Sequence, residues 1–468
     1  MIKFGTSGWR GIIGEDFTFE NVRLVTQGIV NYLEANDLDP EAGIVVGYDT
    51  RFLSEKFALE AARVLSYNDV QAFLCTRDVP TPTVSYEILR RGAAGGINFT
   101  ASHNPPEYNG LKFSTADGAP ALPEVTRAIE VQIRELEEAN ERVDLYEKEE
   151  KIQMIDPRER YLAALREIVD LDAIRSSGLT LGVDSLFGTG REYLDYLLLS
   201  TNVRVKIIHN YRDPYFGGYS PECSQKNLRE LRKLVPEEEL QLGLATDGDA
   251  DRFGIVDSRG RFVSPNLILA LLALYLKRHR DFPGGLARSI ATTHLIDRIA
   301  ESLEVPVYET PVGFKFIGDL ILEDQIAIGG EESAGLSVWG HVPEKDGILA
   351  CLLVAEMMAV TKKRIGELIR EMFDEFGEHF TKRIDLRLTN PLRESVGARL
   401  ANPPEEIGGL EVTNVKTVDG VKLEFDDRTW LLFRLSGTEP VARLYGEACS
   451  PKELKKLLDA GKKFLKGG

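Results

Sequence analysis

The sequence predicts an α/β protein: three related α/β domains with mixed, mainly parallel sheets, followed by a smaller C-terminal α+β domain. Three observations predict it. The chain has 468 residues, more than one hydrophobic core accommodates, and at about 150 residues per domain it divides into three or four. One pattern recurs three times, an apolar strand, a polar turn, an amphipathic helix and a second apolar strand. After about residue 375 the character changes, and Pro391, Pro403, Pro404, Gly408 and Gly409 punctuate short strands.

In chain order, residues 1–150 form the first domain. There the run 43–49 reads as a strand leading into a helix near 55–67 and a strand at 70–75. Charged text from 124 to 150 reads as a solvated helix and a linker leaving this domain. Residues 151–257 repeat the pattern with a strand at 179–184, a helix at 191–199 and a strand at 203–209. Residues 258–373 repeat it again at 288–293, 295–303 and 305–308. Short apolar strands alternating with helices imply parallel sheets, because a crossover helix returns the chain to start a parallel neighbour. The fourth segment, 374–468, carries strands at 430–435 and 443–445 and a final helix from Pro451.

Composition narrows the function. Lys and Arg total 57 against 74 Asp and Glu, a net charge of −17, which argues against a nucleic acid or an anionic membrane as partner. An acidic protein that binds an anion must gather its arginines locally, so a basic cleft in an acidic body is expected. Cys75, Cys223, Cys351 and Cys449 lie far apart with no zinc or redox spacing. Reduced, mostly buried thiols suit a cytoplasmic protein. The N-terminus has no apolar signal core, and the longest apolar run, 267–276, is too short for a membrane helix.

Four stretches carry the chemistry. In Thr100-Ala-Ser-His-Asn-Pro105, a strand runs into a loop that Pro105 and Pro106 keep from becoming helical. Ser102 then sits at a strand's C-terminal end, where ligands collect in open α/β sheets. A serine hydroxyl needs a base or cation beside it to act as a nucleophile, and His103 and Lys112 are nearby. The same serine also reads as an ordinary turn residue. In Asp247-Gly-Asp-Ala-Asp-Arg252, alternate side chains of an extended loop point one way. Asp247, Asp249 and Asp251 therefore converge, and an all-oxygen set favours Mg2+ completed by a phosphate oxygen. A calcium EF-hand loop would need Gly and Glu where Arg252 and Ser258 stand, so that reading fails. Arg252 is placed to hold a phosphate through two donors.

In Gly330-Glu-Glu-Ser-Ala-Gly335, Glu331 and Ser333 fall on one side, suited to accept from and donate to sugar hydroxyls. Arg434-Leu-Ser-Gly-Thr-Glu-Pro440 offers a guanidinium, the hydroxyls of Ser436 and Thr438 and backbone N–H groups near Gly437, a concave anion cradle or a plain turn.

The order and wording of these motifs, with Gly5-Thr-Ser-Gly-Trp-Arg-Gly11 near the start, resemble the alpha-D-phosphohexomutase family, the phosphoglucomutases and phosphomannomutases. The resemblance implies that Ser102 carries a phosphoryl group, whose oxygen joins the three aspartates on Mg2+, and that Lys112 assists as acid or base. It places Arg10 near the phosphoserine, assigns the Glu331–Ser333 loop to the sugar's 3- and 4-hydroxyls, and gives Arg434, Ser436, Gly437 and Thr438 the idle phosphate, with Arg443 as a second contact. The stretches Glu309-Thr-Pro-Val-Gly-Phe-Lys315 and His341-Val-Pro-Glu-Lys-Asp-Gly347 resemble loops of the glucose-handling branch, which adds Thr310, Gly313 and Lys345 to the substrate contacts. The mannose-tolerant branch usually has histidine where this chain has Gly335. Ala334, where glycine is common, is expected only to stiffen the loop.

The implied activity is interconversion of glucose 1-phosphate and glucose 6-phosphate through a glucose 1,6-bisphosphate that also serves as activator, with the last domain swinging to close the site. Its partner is a small hexose phosphate, and no oligomeric state is assigned. The alternatives are a dual phosphomannomutase/phosphoglucomutase, a non-catalytic sugar-phosphate sensor and a metal-dependent phosphatase using the aspartates directly.

Overall fold

The computed structural model describes residues 2–5, 8–139, 143, 149–426, 428–435 and 441–467. Three successive sheets share one strand arrangement. In the first, Ile44–Tyr48 lies between Ala72–Cys75 and Gly95–Phe99, all parallel, and Tyr108–Thr115 returns antiparallel beside Gly95–Phe99. In the second, Thr180–Asp184 lies between Arg204–Ile208 and Leu242–Thr246, and Phe253–Asp257 returns antiparallel. In the third, Gly285–Ser289 lies between Val307–Thr310 and Ile326–Glu331, and Gly335–Val338 returns antiparallel. The periodic strand–helix text accounts for the parallel trios. The fourth strand is antiparallel because the connection to it is too short for a crossover helix. Those three short connections are the serine loop, the aspartate loop and the Glu331 loop, so one position in a repeated topology carries all three candidate functions.

Two elements differ from the expectation. The strand expected at 288–293 runs instead from Gly285 to Ser289, and Thr292 N–H closes a turn onto the Ser289 carbonyl. Its start is set by Gly285, where a Cβ would lie 2.3 Å from the Pro306 carbonyl oxygen. The helix expected from 191 begins at Leu194, because Glu192 sits at φ +64° and breaks the helical path.

The helix Pro123–Glu138 is not wholly solvated: Ile129, Ile133 and Leu136 are buried, and it packs against Phe19–Ala35 at Gly28, whose missing side chain admits Ile133. Much of the linker after it lies outside the described residues. The apolar run at 267–276 is the interior helix Pro265–His279, and among the described residues no helix is long and apolar enough to cross a membrane. Cys75, Cys223 and Cys351 are buried free thiols and Cys449 is half-buried.

The last domain is an antiparallel sheet ordered Phe380–Arg387, Val441–Ala448, Trp430–Leu435, Val421–Glu424, Asn414–Lys416. Its strands alternate by face. Leu431, Phe433 and Leu444 pack under the helix Pro451–Lys466, whereas Trp430, Leu432 and Tyr445 pack on Ile290 and Ala291 of the third domain. The seam is pinned by the buried carboxylate of Glu447, which accepts from Thr293 Oγ1, the His294 N–H and Trp430 Nε1 and bonds His379.

Candidate active site

The serine loop leaves Gly95–Phe99 and turns at once. Ser102 N–H donates to Thr100 Oγ1 at 2.8 Å, and Ser102 itself adopts φ +52°, a left-handed conformation that costs a non-glycine residue roughly 1–2 kcal/mol. The compensation comes from Arg51. Its guanidinium donates to the carbonyls of Ser102, Asn104, Pro105 and Tyr108 at 2.6, 2.7, 2.7 and 3.0 Å. It pairs with Asp49 at 3.0 Å, both side chains fully buried. Sequence reasoning missed Arg51. The available signal is an Asp-Thr-Arg run closing a strand that is apolar throughout. Arg10 adds a further tie, donating to Asn104 Oδ1 at 2.6 Å.

Ser102 Oγ lies 3.3 Å from His103 Nδ1 and 3.5 Å from Asp247 Oδ2. Burial, then the positive charges of Arg252 and Arg10, holds His103 well below its ordinary pKa, so its imidazole is neutral. Gly248 brings the aspartate loop onto the serine loop, since a Cβ there would lie 2.9 Å from the Ser102 carbonyl oxygen and 2.8 Å from Pro221.

Asp247, Asp249 and Asp251 are buried and converge, with ligand atoms within 4.8 Å of one another. Asp249 and Asp251 are each oriented through one oxygen, Asp247 through both. Asp247 Oδ1 accepts from the Arg252 N–H at 3.0 Å. Asp249 Oδ2 accepts from Thr81 Oγ1 at 2.7 Å and Lys112 Nζ at 2.6 Å. Asp251 Oδ2 takes Lys112 at 3.1 Å and Lys345 at 3.0 Å. Asp249 Oδ1 and Asp251 Oδ1 are buried with no hydrogen-bond partner among the described residues. Two orphaned carboxylate oxygens facing a third carboxylate fit a hard divalent cation such as Mg2+. Burial and the neighbouring Asp251 and Asp249 hold Asp247 well above the usual carboxylate range. At Asp251, burial is outweighed by Lys112, Lys345 and Arg252, which hold it well below.

The carboxylate cluster is therefore already partly neutralised by ammonium groups. Lys112, expected beside the serine, is bonded to Asp249 and Asp251, and its charge also acts on His103. It stands opposite Asn98 on the hairpin, from which its four-carbon stem reaches Asp249 and Asp251. Arg252 Nε is buried, has no hydrogen-bond partner among the described residues and lies 3.7 Å from Asp251 Oδ1, a loose ion pair that leaves the donor to an incoming anion. His294, Glu309 and Glu424 form a second ligand-like group, but Lys422 Nζ lies 2.8 Å from His294 Nε2 and 3.6 Å from Glu309, so the lysine amine already occupies two of its ligands.

On the facing side, Glu331 Oε1 accepts the Gly313 N–H at 2.9 Å, joining the two stretches expected to read the sugar. Thr310 donates to the Pro311 carbonyl, and Ser333 is half-buried beside Glu331. Ala334 does more than stiffen this loop, because it sits at φ +70° and carries the same left-handed strain as Ser102. Gly335 gives room to Lys345, whose Cδ lies 2.2 Å from where a Cβ would stand. Glu332, missed in the sequence, has a buried Oε2 with no hydrogen-bond partner among the described residues and is pushed up to about 7 by burial and by Glu331, against Arg383.

The last domain supplies the positive wall. Arg383 pairs across strands with Tyr445, and Arg434 with Arg443. By strand alternation all four share the face that meets the third domain. Arg434 Nε donates to Asp419 Oδ2 at 2.8 Å. Ser436, Gly437 and Thr438 lie outside the described residues.

Comparison with known proteins agrees with the fold. Models of the phosphoglucomutase/phosphomannomutase family match in order: alpha/beta/alpha domain I at residues 1–140, domain II at 159–260, domain III at 264–376 and the C-terminal domain at 392–461. The chain is 32% identical to a phosphoglucomutase/phosphomannomutase of Thermococcus kodakarensis, over 99% of this chain and 98% of that one. It is 31% identical to a protein of Methanothermobacter thermautotrophicus named as a phosphoglucosamine mutase, over 94% and 92%. A crystal structure from Thermus thermophilus, named for a phosphomannomutase, superposes with a TM-score of 0.86 at 35% identity, covering 100% of this chain and 99% of that one. With all four domain models matched in order along its length, the chain belongs to the phosphoglucomutase/phosphomannomutase family, the alpha-D-phosphohexomutases.

Proposed function

We propose that this phosphohexomutase interconverts glucose 1-phosphate and glucose 6-phosphate through a phosphoryl group carried on Ser102 and a glucose 1,6-bisphosphate intermediate. The observation that carries the reading is the meeting of Ser102 Oγ with Asp247 at 3.5 Å, beside two buried aspartate oxygens and an arginine nitrogen that have no hydrogen-bond partner among the described residues. In the forward half-reaction the bond between phosphorus and Ser102 Oγ breaks as phosphorus bonds to the free sugar hydroxyl. The hydroxyl proton leaves to a neighbouring base and Ser102 regains its own. Neutral His103 at 3.3 Å orients Ser102 Oγ, and Lys112 places an ammonium on Asp249 and Asp251. Arg10 and Arg252 hold the phosphoryl oxygens. Asp247, Asp249, Asp251 and the phosphate on Ser102 would hold Mg2+, which when bound supplies positive charge against the transferring group. Glu331 and Ser333 read hydroxyls, with Thr310, Gly313 and Lys345 lining their side, while Arg434, Arg443 and residues 436–438 take the idle phosphate. Closure of the last domain onto the cleft excludes water during reorientation of the bisphosphate.

Gly335 supports glucose, because the Lys345 stem lies where a larger residue's Cβ would be. One observation favours a second reading, a phosphoglucosamine mutase: the buried Glu332 oxygen, without a hydrogen-bond partner among the described residues, suits the ammonium of an amino sugar, and a relative carries that name. The test is a mutase assay with Mg2+ and a trace of sugar bisphosphate, comparing glucose, mannose and glucosamine 1-phosphates. Preference for glucose supports the reading. Equal glucose and mannose rates make the enzyme dual-specific, preference for glucosamine moves it to the second reading, and no turnover removes the mutase.

A further inference from the structure

Asp419 stands in the turn between Asn414–Lys416 and Val421–Glu424, outside every motif recognised in the sequence. One of its oxygens, Oδ2, accepts from Arg434 Nε at 2.8 Å and from the Val312 N–H at 3.0 Å. The next residue's N–H, that of Gly313, donates to Glu331 at 2.9 Å. A continuous line of hydrogen bonds thus runs from the phosphate-clamp arginine of the last domain, through Asp419 and two successive peptide groups, to the hydroxyl-reading carboxylate of the third.

This line is not needed to hold the two domains together. The root of the 310–315 loop is fixed separately by Glu309, which pairs with Arg288 at 2.7 Å and Lys416 at 3.0 Å. The domain seam is fixed by Trp430, Leu432 and Tyr445 against Ile290 and Ala291 and by Glu447. What Asp419 adds is dependence of one group on the other. A single carboxylate oxygen divides its negative charge between two donors, so drawing Arg434 towards a phosphate leaves more of it for Val312.

We propose that Asp419 is a positioning residue that couples capture of the idle phosphate by Arg434 to the placement of the 312–313 backbone and Glu331. Hydroxyl reading then becomes firm only when a phosphate is in the clamp. The inference rests on the reading of this cleft as a hexose-phosphate site. Its functional consequence is selectivity for phosphorylated over free sugars at the level of the hydroxyl reader, beyond the affinity that the clamp provides by itself.

The experiment is hydrogen exchange at residues 310–315 of the full chain, with and without saturating inorganic phosphate, in wild type and in Asp419→Ala. Expected is a severalfold slowing at Val312 and Gly313 on adding phosphate to wild type, and none in the variant. An unchanged rate in wild type, or an equal slowing in Asp419→Ala, overturns the coupling. Kinetics of Asp419→Asn give a second measure, since the amide oxygen still accepts from Val312 but lacks the charge for Arg434. Expected is a KM for glucose 1-phosphate raised severalfold, because Arg434 is no longer held in register with the 312–313 backbone, with kcat little changed, while Asp419→Ala also loses kcat. Wild-type kinetics in both variants overturn it. A wild-type protein that turns over no hexose phosphate yet slows at 312–313 removes the mutase reading and leaves the coupling standing.

Discussion

Arg51 Nη2 lies 2.6 Å from the carbonyl oxygen of Ser102, and this one contact shows how the candidate nucleophile is held. The serine loop has no regular structure of its own, and its carbonyls would point into protein without a donor. A single buried guanidinium collects three of them, with the Tyr108 carbonyl that opens the next strand, and takes its countercharge from Asp49. Lysine has the charge but not the planar fork. Arg51→Lys is therefore expected to lower kcat at least about tenfold with a modest stability loss. Arg51→Ala strands Asp49 and is expected to cost about 3–5 kcal/mol, the scale of a broken buried pair. Steady-state rates and thermal unfolding of both variants check this, and a fully active Arg51→Ala would sink it.

The aspartate loop predicts a metal-linked stability. Asp247 is held above the carboxylate range by burial and by its two acidic neighbours, a repulsion that a bound cation relieves. Mg2+ is expected to raise the unfolding midpoint as well as the activity, by mass action on the folded state. Chelation reverses both. Asp249→Asn is expected to abolish the Mg2+ dependence of the midpoint, which differential scanning calorimetry reads without any turnover.

How far the sequence could be read follows from chain separation. The repeated strand–helix text reports the parallel trios because each repeat is local. Ser102 and the three aspartates are legible because each loop keeps its chemistry within a few consecutive residues. Arg51 acts across 51 residues, Thr81 on Asp249 across 168, and Asp419 on Val312 across 107. No periodicity links such positions, and only the packing of one domain's loop on another's brings them together. Lys112 is the instructive middle case, since proximity in sequence points it at the serine and only the hairpin register adds its bonds to aspartates 137 and 139 residues away.

Gly335 predicts a change of preference. A Cβ there would stand 2.2 Å from Lys345 Cδ, so Gly335→His must push the lysine off Asp251, where it now sits at 3.0 Å. The lysine stem is flexible, and the fold is expected to survive with a loss of about 1–3 kcal/mol, the usual scale of overpacking. Turnover of glucose 1-phosphate is expected to fall and the mannose-to-glucose ratio of kcat/KM to rise. An unchanged ratio would remove Gly335 as a specificity determinant, whereas Gly335→Ala showing the same shift would assign it to Lys345 displacement alone.

Lys422 gives a pH prediction with a definite sign. It is buried between the third and last domains over the ring of Trp430, and burial first, then Arg288, pushes its pKa down to about 7, with Glu309 opposing. An unfolded lysine titrates near about 10.4. Between pH 7 and that value the unfolded chain binds more protons at this residue than the folded one, so its contribution to stability rises with pH. Falling pH removes that contribution until about pH 7, below which both states are protonated and the slope vanishes. Lys422→Met, a neutral side chain of similar length, is expected to flatten the midpoint-against-pH curve between about 7 and 10 relative to wild type. The difference between the two curves isolates this lysine from the other titrating groups, and parallel curves would show that it stays charged in the folded protein, held so by Glu309 and the Ile290 carbonyl.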